Sequence, residues 1–207
     1  MPQIRNILFD LGGVLYGIDY HRTTRALGIS PEALPSLLQS PALAAYEKGL
    51  LETKDFLSYW QKEFPTLTVA ELTAAWNAML LGPLPQADEV LAKLASSFSL
   101  ALLSNTNDLH LERVEPEIQP WKVYFAGIFF SNRIHLRKPD PDTYRYVLER
   151  LRWSASETLF VDDNELNIAG AQRAGLRTFH LSPPNQPQAL LASDSPLFSQ
   201  PISKPSP

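Results

Sequence analysis

Short apolar runs alternate with amphipathic, helix-length segments along most of this chain. Five runs have the length and composition of buried strands: Ile4–Phe9, Ser99–Leu103, Tyr124–Phe130, Thr158–Val161 and Arg177–Leu181. Four segments have helical periodicity: Leu84–Ser97, Asp108–Ile118, Asp140–Leu151 and Glu165–Ala174. Such alternation is typical of a parallel sheet that is covered on both faces and joined by right-handed crossovers. The pattern therefore predicts an α/β fold.

One long stretch departs from this alternation, because no convincing strand occurs between Ile18 and about Gly82. Its segments have helical character, and Ser30 and Thr53 have the residue type expected at helix N-caps, with Pro31 at a first helical position. We therefore predict a helical insertion directly after the first strand and its loop. This position suits a lid over a site, and a packed accessory bundle is the alternative.

The chain after Leu181 is rich in Ser, Pro and Gln, and its prolines exclude regular structure over most of it. We predict a loosely packed or disordered tail with a short helix near Ala189–Ala192. The predicted domain division is a core of residues 1–15 and 83–181, a helical cap of residues 16–82 and a Pro-rich tail of residues 182–207.

Composition limits the classes of function that need to be considered. The 207 residues contain no cysteine, which excludes disulfides, thiolate metal sites and a cysteine nucleophile. A net charge of −4 gives no electrostatic reason to expect nucleic acid or an anionic membrane as a partner. The N-terminus lacks the pattern of a signal peptide, and no apolar run is long enough to span a bilayer. We therefore expect a cytoplasmic protein.

Polar residues follow the predicted strands, and the first of them is Asp10. It ends an apolar run and precedes Gly12 and Gly13, which allow the backbone to turn sharply beneath a ligand. Open α/β sheets place their chemistry at the carboxyl ends of strands. Asp10 is therefore a candidate site residue, although many strands end in Asp for reasons of turn geometry.

Two later segments offer groups that bind phosphate. Ser104, Asn105 and the two residues after them supply hydroxyl and amide groups that suit a phosphate, although a helix N-cap uses the same residue types. Lys138 lies before Pro139 and a helix start, where it can neutralise a phosphate or pair with a carboxylate. A surface basic pair with Arg137 is the alternative.

The fourth segment contains the adjacent carboxylates Asp162 and Asp163, with Asn167 on the helix that follows. Neighbouring buried carboxylates repel each other, so a bound hard cation would explain them; a helix cap beside a solvated Asp is the alternative. All four segments are expected to converge at one edge of the sheet. Together they supply a carboxylate nucleophile, a cation site, a phosphate cradle and a neutralising lysine, which phosphoryl transfer requires.

The chain resembles the haloacid dehalogenase-like hydrolase superfamily through four motifs, which in order are FDLGGVL, LLSNTN, RKPD and FVDDNELNIAGAQRAG. The resemblance covers roughly residues 4–181 and implies a Rossmann-like core with a helical cap inserted after the first strand. It also implies that Asp10 is the nucleophile that forms an aspartyl-phosphate. Ser104 and Asn105 would then hold the phosphoryl oxygens, and Lys138 would neutralise their charge.

The same resemblance implies a Mg²⁺ cofactor. Its expected ligands are the Asp10 carboxylate, the backbone carbonyl of Gly12 and the Asp163 carboxylate. Asp162 is expected to lie behind the direct ligands, and Asn167 to contact a metal-bound water.

Gly12 is the main departure from the family pattern, since typical phosphatases of the family have a second Asp there as general acid and base. The small-sugar-phosphate phosphatases similar to α-D-glucose-1-phosphate phosphatase, which this chain most resembles, lack that Asp as well. Asp19 or His21 at the start of the predicted cap is a candidate substitute. Lys48, in a turn that resembles the active-site-facing turn of such caps, is a candidate substrate contact.

The sequence thus predicts a magnesium-dependent phosphatase that hydrolyses a small phosphorylated metabolite, with sugar phosphates among the candidates, through an aspartyl-phosphate. One alternative is a 2-haloacid dehalogenase, which also uses an Asp nucleophile but needs no metal. The other is a weakly catalytic module that binds a phosphate ligand. Neither the substrate nor the oligomeric state can be predicted from the sequence.

Overall fold

The computed structural model describes residues 2–181, 187–192 and 197. The described residues contain seven strands: β1 (Asn6–Phe9), β2 (Tyr16–Ile18), β3 (Leu80–Pro83), β4 (Ser99–Ser104), β5 (Phe125–Phe130), β6 (Thr158–Asp162) and β7 (Arg177–His180). They contain ten α-helices: α1 (Tyr20–Leu27), α2 (Leu34–Leu38), α3 (Pro41–Glu47), α4 (Thr53–Glu63), α5 (Val69–Asn77), α6 (Ala87–Ala95), α7 (Asp108–Ile118), α8 (Ser131–Ile134), α9 (Pro141–Leu151) and α10 (Glu165–Arg173).

Five of the strands form a parallel sheet in the order β5-β4-β1-β6-β7, which confirms the predicted α/β fold. All four residues of β1 are buried, as expected for a central strand that is covered on both faces. Ile7 and Phe9 pack in one apolar cluster, and Leu8 packs in another on the opposite face. Phe9 lies opposite Leu102 of β4 and Val161 of β6, so these three strands end at the same level.

The insertion after the first strand is helical from α1 to α5, and a second, two-stranded sheet brackets it. Tyr16–Ile18 pairs antiparallel with Leu80–Pro83, so the prediction that no strand occurs from Ile18 to Gly82 is wrong at both ends. These strands have only three and four residues, and each contains a glycine, so neither has a strand-like sequence pattern. They become strands because they pair with each other across the base of the insertion.

The two predicted helix caps in the insertion have different outcomes. Ser30 is confirmed as an N-cap, since its hydroxyl accepts a hydrogen bond from Glu32 N at the start of a short 3₁₀ helix. Thr53 is the first residue of α4 and not its cap, because Glu52 occupies the cap position. The Thr53 hydroxyl instead pairs with the Tyr46 hydroxyl at 2.9 Å, a contact between two helices that local sequence does not encode.

The tail packs against the core where the structure describes it. Pro187–Leu191 forms a 3₁₀ turn against α6, and Leu190 is fully buried. The predicted short helix is thus found two residues earlier than Ala189, and the prediction of loose packing is wrong for this turn because Leu190 joins the main apolar cluster. The predictions for residues 182–186, 193–196 and 198–207 lie outside the described residues. None of the described helices is long and apolar enough to cross a membrane.

Candidate active site

The ends of β1, β4 and β6 bring three of the predicted segments together. Asp10 directly follows β1 and donates its backbone N–H to the Val161 carbonyl at 2.8 Å, which extends the central pairing by one residue. Ser104 and Asp162 are the last residues of β4 and β6. Because the three strands are parallel and adjacent, their carboxyl ends present these side chains at one edge of the sheet.

Lys138 joins two of these carboxylates from the turn before α9. Only 1% of its side chain is exposed, so it is not part of a surface basic pair. Its Nζ donates to Asp10 Oδ1 at 2.6 Å and to Asp162 Oδ2 at 2.8 Å. Burial alone would lower the pKa of Lys138, but the charges of Asp10 and Asp162 outweigh burial and raise that pKa. The lysine is therefore a fixed positive charge between two carboxylates.

Asn105 fixes the backbone that carries this lysine. Its Nδ2 donates to the Lys138 carbonyl at 3.0 Å, and its Oδ1 accepts from the Lys138 N–H at 3.0 Å. Both ends of the amide are thus bonded to the lysine backbone, although Asn105 also lines the cavity described below. Asn107 forms the N-cap of α7. The alternative interpretation of residues 104–107 as a helix cap is therefore correct for Asn107 and not for the other three residues.

Asp162 and Asp163 differ in their surroundings, although they are adjacent. Asp162 is fully buried, and its Oδ1 accepts from Asn164 N and Asn167 Nδ2 at 2.8 and 3.1 Å. Its Oδ2 accepts from Lys138 Nζ and from Asn167 Nδ2 at 3.0 Å. Asp163 is only partly buried and lines the cavity. The oxygens of Asp162 are therefore bonded within the protein, whereas Asp163 faces the space where a ligand would bind.

Three acidic side chains crowd this edge of the sheet. Carboxylate oxygens of Asp10, Asp162 and Asp163 lie within 4.8 Å of one another. Burial raises the pKa of Asp10 to about 8. The positive charge of Lys138 acts to lower this pKa, and the two other carboxylates act to raise it. Burial and the charge of Asp162 raise the pKa of Asp163 to about 6. Burial is the largest cause of both shifts, and repulsion among the three carboxylates adds to it; a bound cation would relieve both effects.

The glycine pair after Asp10 allows the backbone to pass beneath these carboxylates. Gly13 has a φ of +79°, and a Cβ at this position would lie 2.1 Å from Asp163 Oδ2. A Cβ at Gly12 would approach Ile18 Cγ1 at 3.1 Å. Gly13 is therefore required by its left-handed conformation and by its contact with Asp163, whereas Gly12 has only a narrow space beside it.

A cavity of about 680 Å³ opens above the site and separates it from the insertion. Asp10, Ser104, Lys138 and Asp163 line its sheet end. In the Glu47-Lys48-Gly49 turn, Glu47 lines the cavity but Lys48, the predicted substrate contact, does not. The carbonyl oxygen of Lys48 lies 2.8 Å from His135 Nδ1.

Glu47 and Tyr20 are two cavity residues that sequence reasoning did not identify as site residues. Glu47 forms an ion pair with Arg137, the residue before Lys138. Burial raises the pKa of Glu47, and Arg137 opposes that increase. Enclosure of the Tyr20 hydroxyl and the charge of Asp163 raise the pKa of Tyr20, although 42% of the residue is exposed. The only sequence signal for Glu47 was its place beside Lys48 in the same turn.

The two candidate substitutes for an acid at position 12 do not line the described cavity. Asp19 caps α1 through the His21 N–H and lies 3.6 Å from both Arg22 and Arg25. The His21 side chain is exposed. Asp19 is therefore occupied at the start of the helix.

Comparison with known proteins assigns the family. Residues 4–175 match the model of the haloacid dehalogenase-like hydrolases, which covers most of the chain. The chain belongs to the haloacid dehalogenase-like hydrolase family. A D-ribitol-5-phosphate phosphatase of Bacteroides thetaiotaomicron is 30% identical over 86% of this chain and 91% of its own length.

Other proteins that are similar to this chain differ in their named activities. The sesquiterpene phosphatase astK of Aspergillus oryzae is 28% identical over 84% of this chain and 88% of its own length. The (S)-2-haloacid dehalogenase 4A of Burkholderia cepacia is 27% identical over 90% of this chain and 87% of its own length. A solved structure of a family enzyme from Bacteroides thetaiotaomicron, in complex with magnesium and inorganic phosphate, superposes with a TM-score of 0.78. That structure is 28% identical and covers 91% of this chain and all of its own.

Proposed function

We propose that the chain is a magnesium-dependent phosphatase that hydrolyses small phosphate monoesters through an aspartyl-phosphate on Asp10. The observation that carries this proposal is the arrangement around Lys138, which bridges Asp10 and Asp162 while Asp163 faces the cavity. Such a site combines a carboxylate nucleophile, which a bound cation would keep ionised, with a fixed positive charge and a second carboxylate for that cation. The phosphatases among its relatives and the magnesium and phosphate of a similar structure support the same activity.

The residues present fit Mg²⁺. Carboxylate and carbonyl oxygens are the donors that this ion prefers, and three carboxyl groups lie together here beside one lysine. Asp10, the Gly12 carbonyl and Asp163 are the proposed ligands, because all three residues line the cavity. Asp162 is proposed to hold Lys138, since protein donors already occupy both of its oxygens. Bound Mg²⁺ would neutralise the carboxylates and polarise the phosphoryl group.

The proposed reaction has two steps. An Asp10 carboxylate oxygen attacks phosphorus, the P–O bond to the organic group breaks, and that bonding pair leaves with the oxygen. Water then attacks the phosphorus of the aspartyl-phosphate, which regenerates the carboxylate and releases phosphate. Lys138 and the polar groups of Ser104 are proposed to stabilise the charge on the phosphoryl oxygens in both steps. Asn105 is proposed to act mainly by fixing the Lys138 backbone.

The leaving oxygen lacks a protein acid at position 12. Asp19 and His21 are not among the residues lining the described cavity, and Glu47 is paired with Arg137. A positioned acid contributes about 10²–10⁴ in rate, so its absence favours esters whose oxygen leaves readily as an anion. We therefore propose that the enzyme acts best on aryl, anomeric or otherwise activated phosphates.

The decisive experiment is phosphate release from phenyl phosphate with Mg²⁺ and with a chelator. We expect turnover that depends on Mg²⁺, and a phosphoenzyme that is trapped when the reaction is quenched in acid. Chelator-resistant release of halide from 2-chloropropionate, with no phosphate release, would instead establish the dehalogenase alternative. Tight phosphate binding without turnover of any ester would establish a binding module.

A further inference from the structure

We infer that, among activated phosphates, the enzyme prefers those whose organic group is predominantly apolar, an aryl or alkylaryl group rather than a sugar or polyol. This inference rests on the proposed function, because it takes the phosphate to lie at the sheet end of the cavity beside Asp10 and Lys138. The organic group must then occupy the remainder of the cavity. The residues that line this part of the cavity therefore determine which kind of organic group fits.

The wall contributed by α2 and α3 is apolar. Five of its residues line the cavity: Leu34, Pro35, Leu38, Leu43 and Ala44. The same segment adds two polar residues to the described lining, Gln39, which is exposed, and Glu47, which is paired with Arg137. A hydroxylated ligand therefore meets mainly hydrocarbon on this side.

The lining that comes from the two-stranded sheet, α5 and α7 is apolar as well, and most of it is deeply buried. Its apolar lining residues are Ile18, Trp76, Met79, Leu80 and Val114. Trp76, Met79, Leu80 and Val114 are each less than 5% exposed and belong to the main apolar cluster. This wall is a continuation of the protein core, so an apolar ligand placed against it would extend that core.

The ionisable groups near these walls offer few partners for hydroxyls: His110 Nε2 is buried without a hydrogen-bond partner among the described residues and can serve one hydroxyl, whereas Glu47 and Arg137 are paired. Burial lowers the pKa of His110 to about 4, so its ring is neutral at pH 7. The ring stacks on Trp76 at 4.8 Å. Glu47 and Arg137 neutralise each other in a direct ion pair. Each sugar hydroxyl buried here without a hydrogen bond would cost about 1–3 kcal/mol, which disfavours a polyol.

The size of the cavity agrees with an extended apolar group. At roughly 30 Å³ for a water-sized group, about 680 Å³ holds on the order of twenty non-hydrogen atoms. Since a phosphate has five such atoms, about fifteen remain for the organic group. That is more than a five-carbon polyol requires.

The test is a series of phenyl phosphates with para-methyl, para-ethyl, para-propyl and para-butyl groups. Their phenols have nearly equal pKa values, so leaving-group chemistry is constant while the apolar length changes. Each methylene is worth about 0.8 kcal/mol when buried, or up to about fourfold in kcat/KM. We expect kcat/KM to rise at least tenfold along the series. A flat or falling series, with Mg²⁺-dependent turnover of phenyl phosphate, would overturn the apolar class and leave the phosphatase proposal intact.

Two neighbouring leucines provide matched variants. Leu37 and Leu38 both belong to α2 and are both partly buried against the main cluster, but only Leu38 lines the cavity. Leu38→Gln should flatten the dependence on chain length, whereas Leu37→Gln should keep the wild-type slope and the wild-type rate on phenyl phosphate. Equal slopes in these two variants, with unchanged circular dichroism, would contradict an organic group seated against α2.

Binding of n-alkylphosphonates to the wild-type protein, measured by calorimetry with Mg²⁺ present, separates the two proposals. These compounds cannot be hydrolysed, so the measurement needs no turnover. Affinity should increase from methyl- to hexylphosphonate and exceed that of a polyhydroxylated phosphonate of equal size. Increasing affinity without any esterase activity would refute the catalytic proposal alone. Preference for the hydroxylated compound would refute the apolar inference, whatever the activity.

Discussion

Replacing Asp163 with asparagine should stabilise the magnesium-free protein, because this carboxylate is held against the two other acidic groups of the cluster. Burial and the charge of Asp162 raise the pKa of Asp163 from 3.8 to about 6 in the folded state. Each pH unit of difference between folded and unfolded states corresponds to about 1.4 kcal/mol. Asp163 therefore destabilises the folded, metal-free protein by up to about 3 kcal/mol at neutral pH.

The sign of this effect fixes its pH dependence. The folded state holds the Asp163 proton more tightly than the unfolded chain, so the free energy of unfolding decreases as pH rises from about 4 to about 6. The penalty is fully present above that range and absent below it. The advantage of Asp163→Asn over wild type should follow the same course, large at neutral pH and lost near pH 4.

Urea unfolding with a chelator at about pH 7.5 measures this difference. A gain of about 3 kcal/mol corresponds to roughly 6–12 °C in melting temperature for a chain of this size. Glu165→Gln is the matched control, because it removes the same charge from an exposed residue two positions later. Addition of Mg²⁺ should stabilise wild type and the control, but not Asp163→Asn. A destabilised Asp163→Asn protein in chelator, or an undiminished Mg²⁺ effect in it, would refute the reasoning.

Three further predictions concern activity. Asp10→Asn should lower turnover to the assay floor and leave no trapped phosphoenzyme; substantial turnover, after mass spectrometry has excluded deamidation, would contradict the covalent mechanism. Asp163→Ala should lose far more Mg²⁺-dependent activity than Asn167→Ala, and Asp162→Ala should differ from Asp163→Ala by losing turnover with less change in Mg²⁺ affinity. With glycine at position 12, wild-type rates should depend steeply on leaving-group pKa across substituted phenyl phosphates of equal size. A flat dependence, with chemistry rate-limiting, would mean that another group delivers the proton.

The sheet and the ends of its strands could be predicted from local sequence. Burial of every residue in Asn6–Phe9 requires an apolar run, and such a run is visible without any tertiary information. Parallel strands then bring their carboxyl ends to one edge, so the convergence of Asp10, Ser104 and Asp162 follows from the order of the elements. The difference between Asp162 and Asp163 was also expected from the sequence, through the family resemblance, and their assignment as metal ligand or supporting residue stays a prediction.

Local sequence was a poor guide wherever a residue's partner lies in another element of the fold. The short strand Tyr16–Ile18 exists only because Leu80–Pro83 lies beside it, and the buried Leu190 packs the turn Pro187–Leu191 against the core. Thr53 has the residue type of a cap, yet its hydroxyl pairs with Tyr46 of another helix. For Thr53, the contact between helices replaces a cap preference that is worth only about 1 kcal/mol.

The sequence by itself determined the α/β architecture and supplied the candidate reactive groups, because periodicity and residue type report burial and chemistry directly. Only the tertiary structure decided how these groups pair and what faces them. Glu47 meets Arg137 across 90 positions, and Lys138 bridges Asp10 and Asp162 across 128 and 24 positions. The apolar walls of the cavity likewise combine α2 and α3 with residues of the core. Such juxtapositions depend on chain topology and three-dimensional packing, which leave no periodic signal along the sequence.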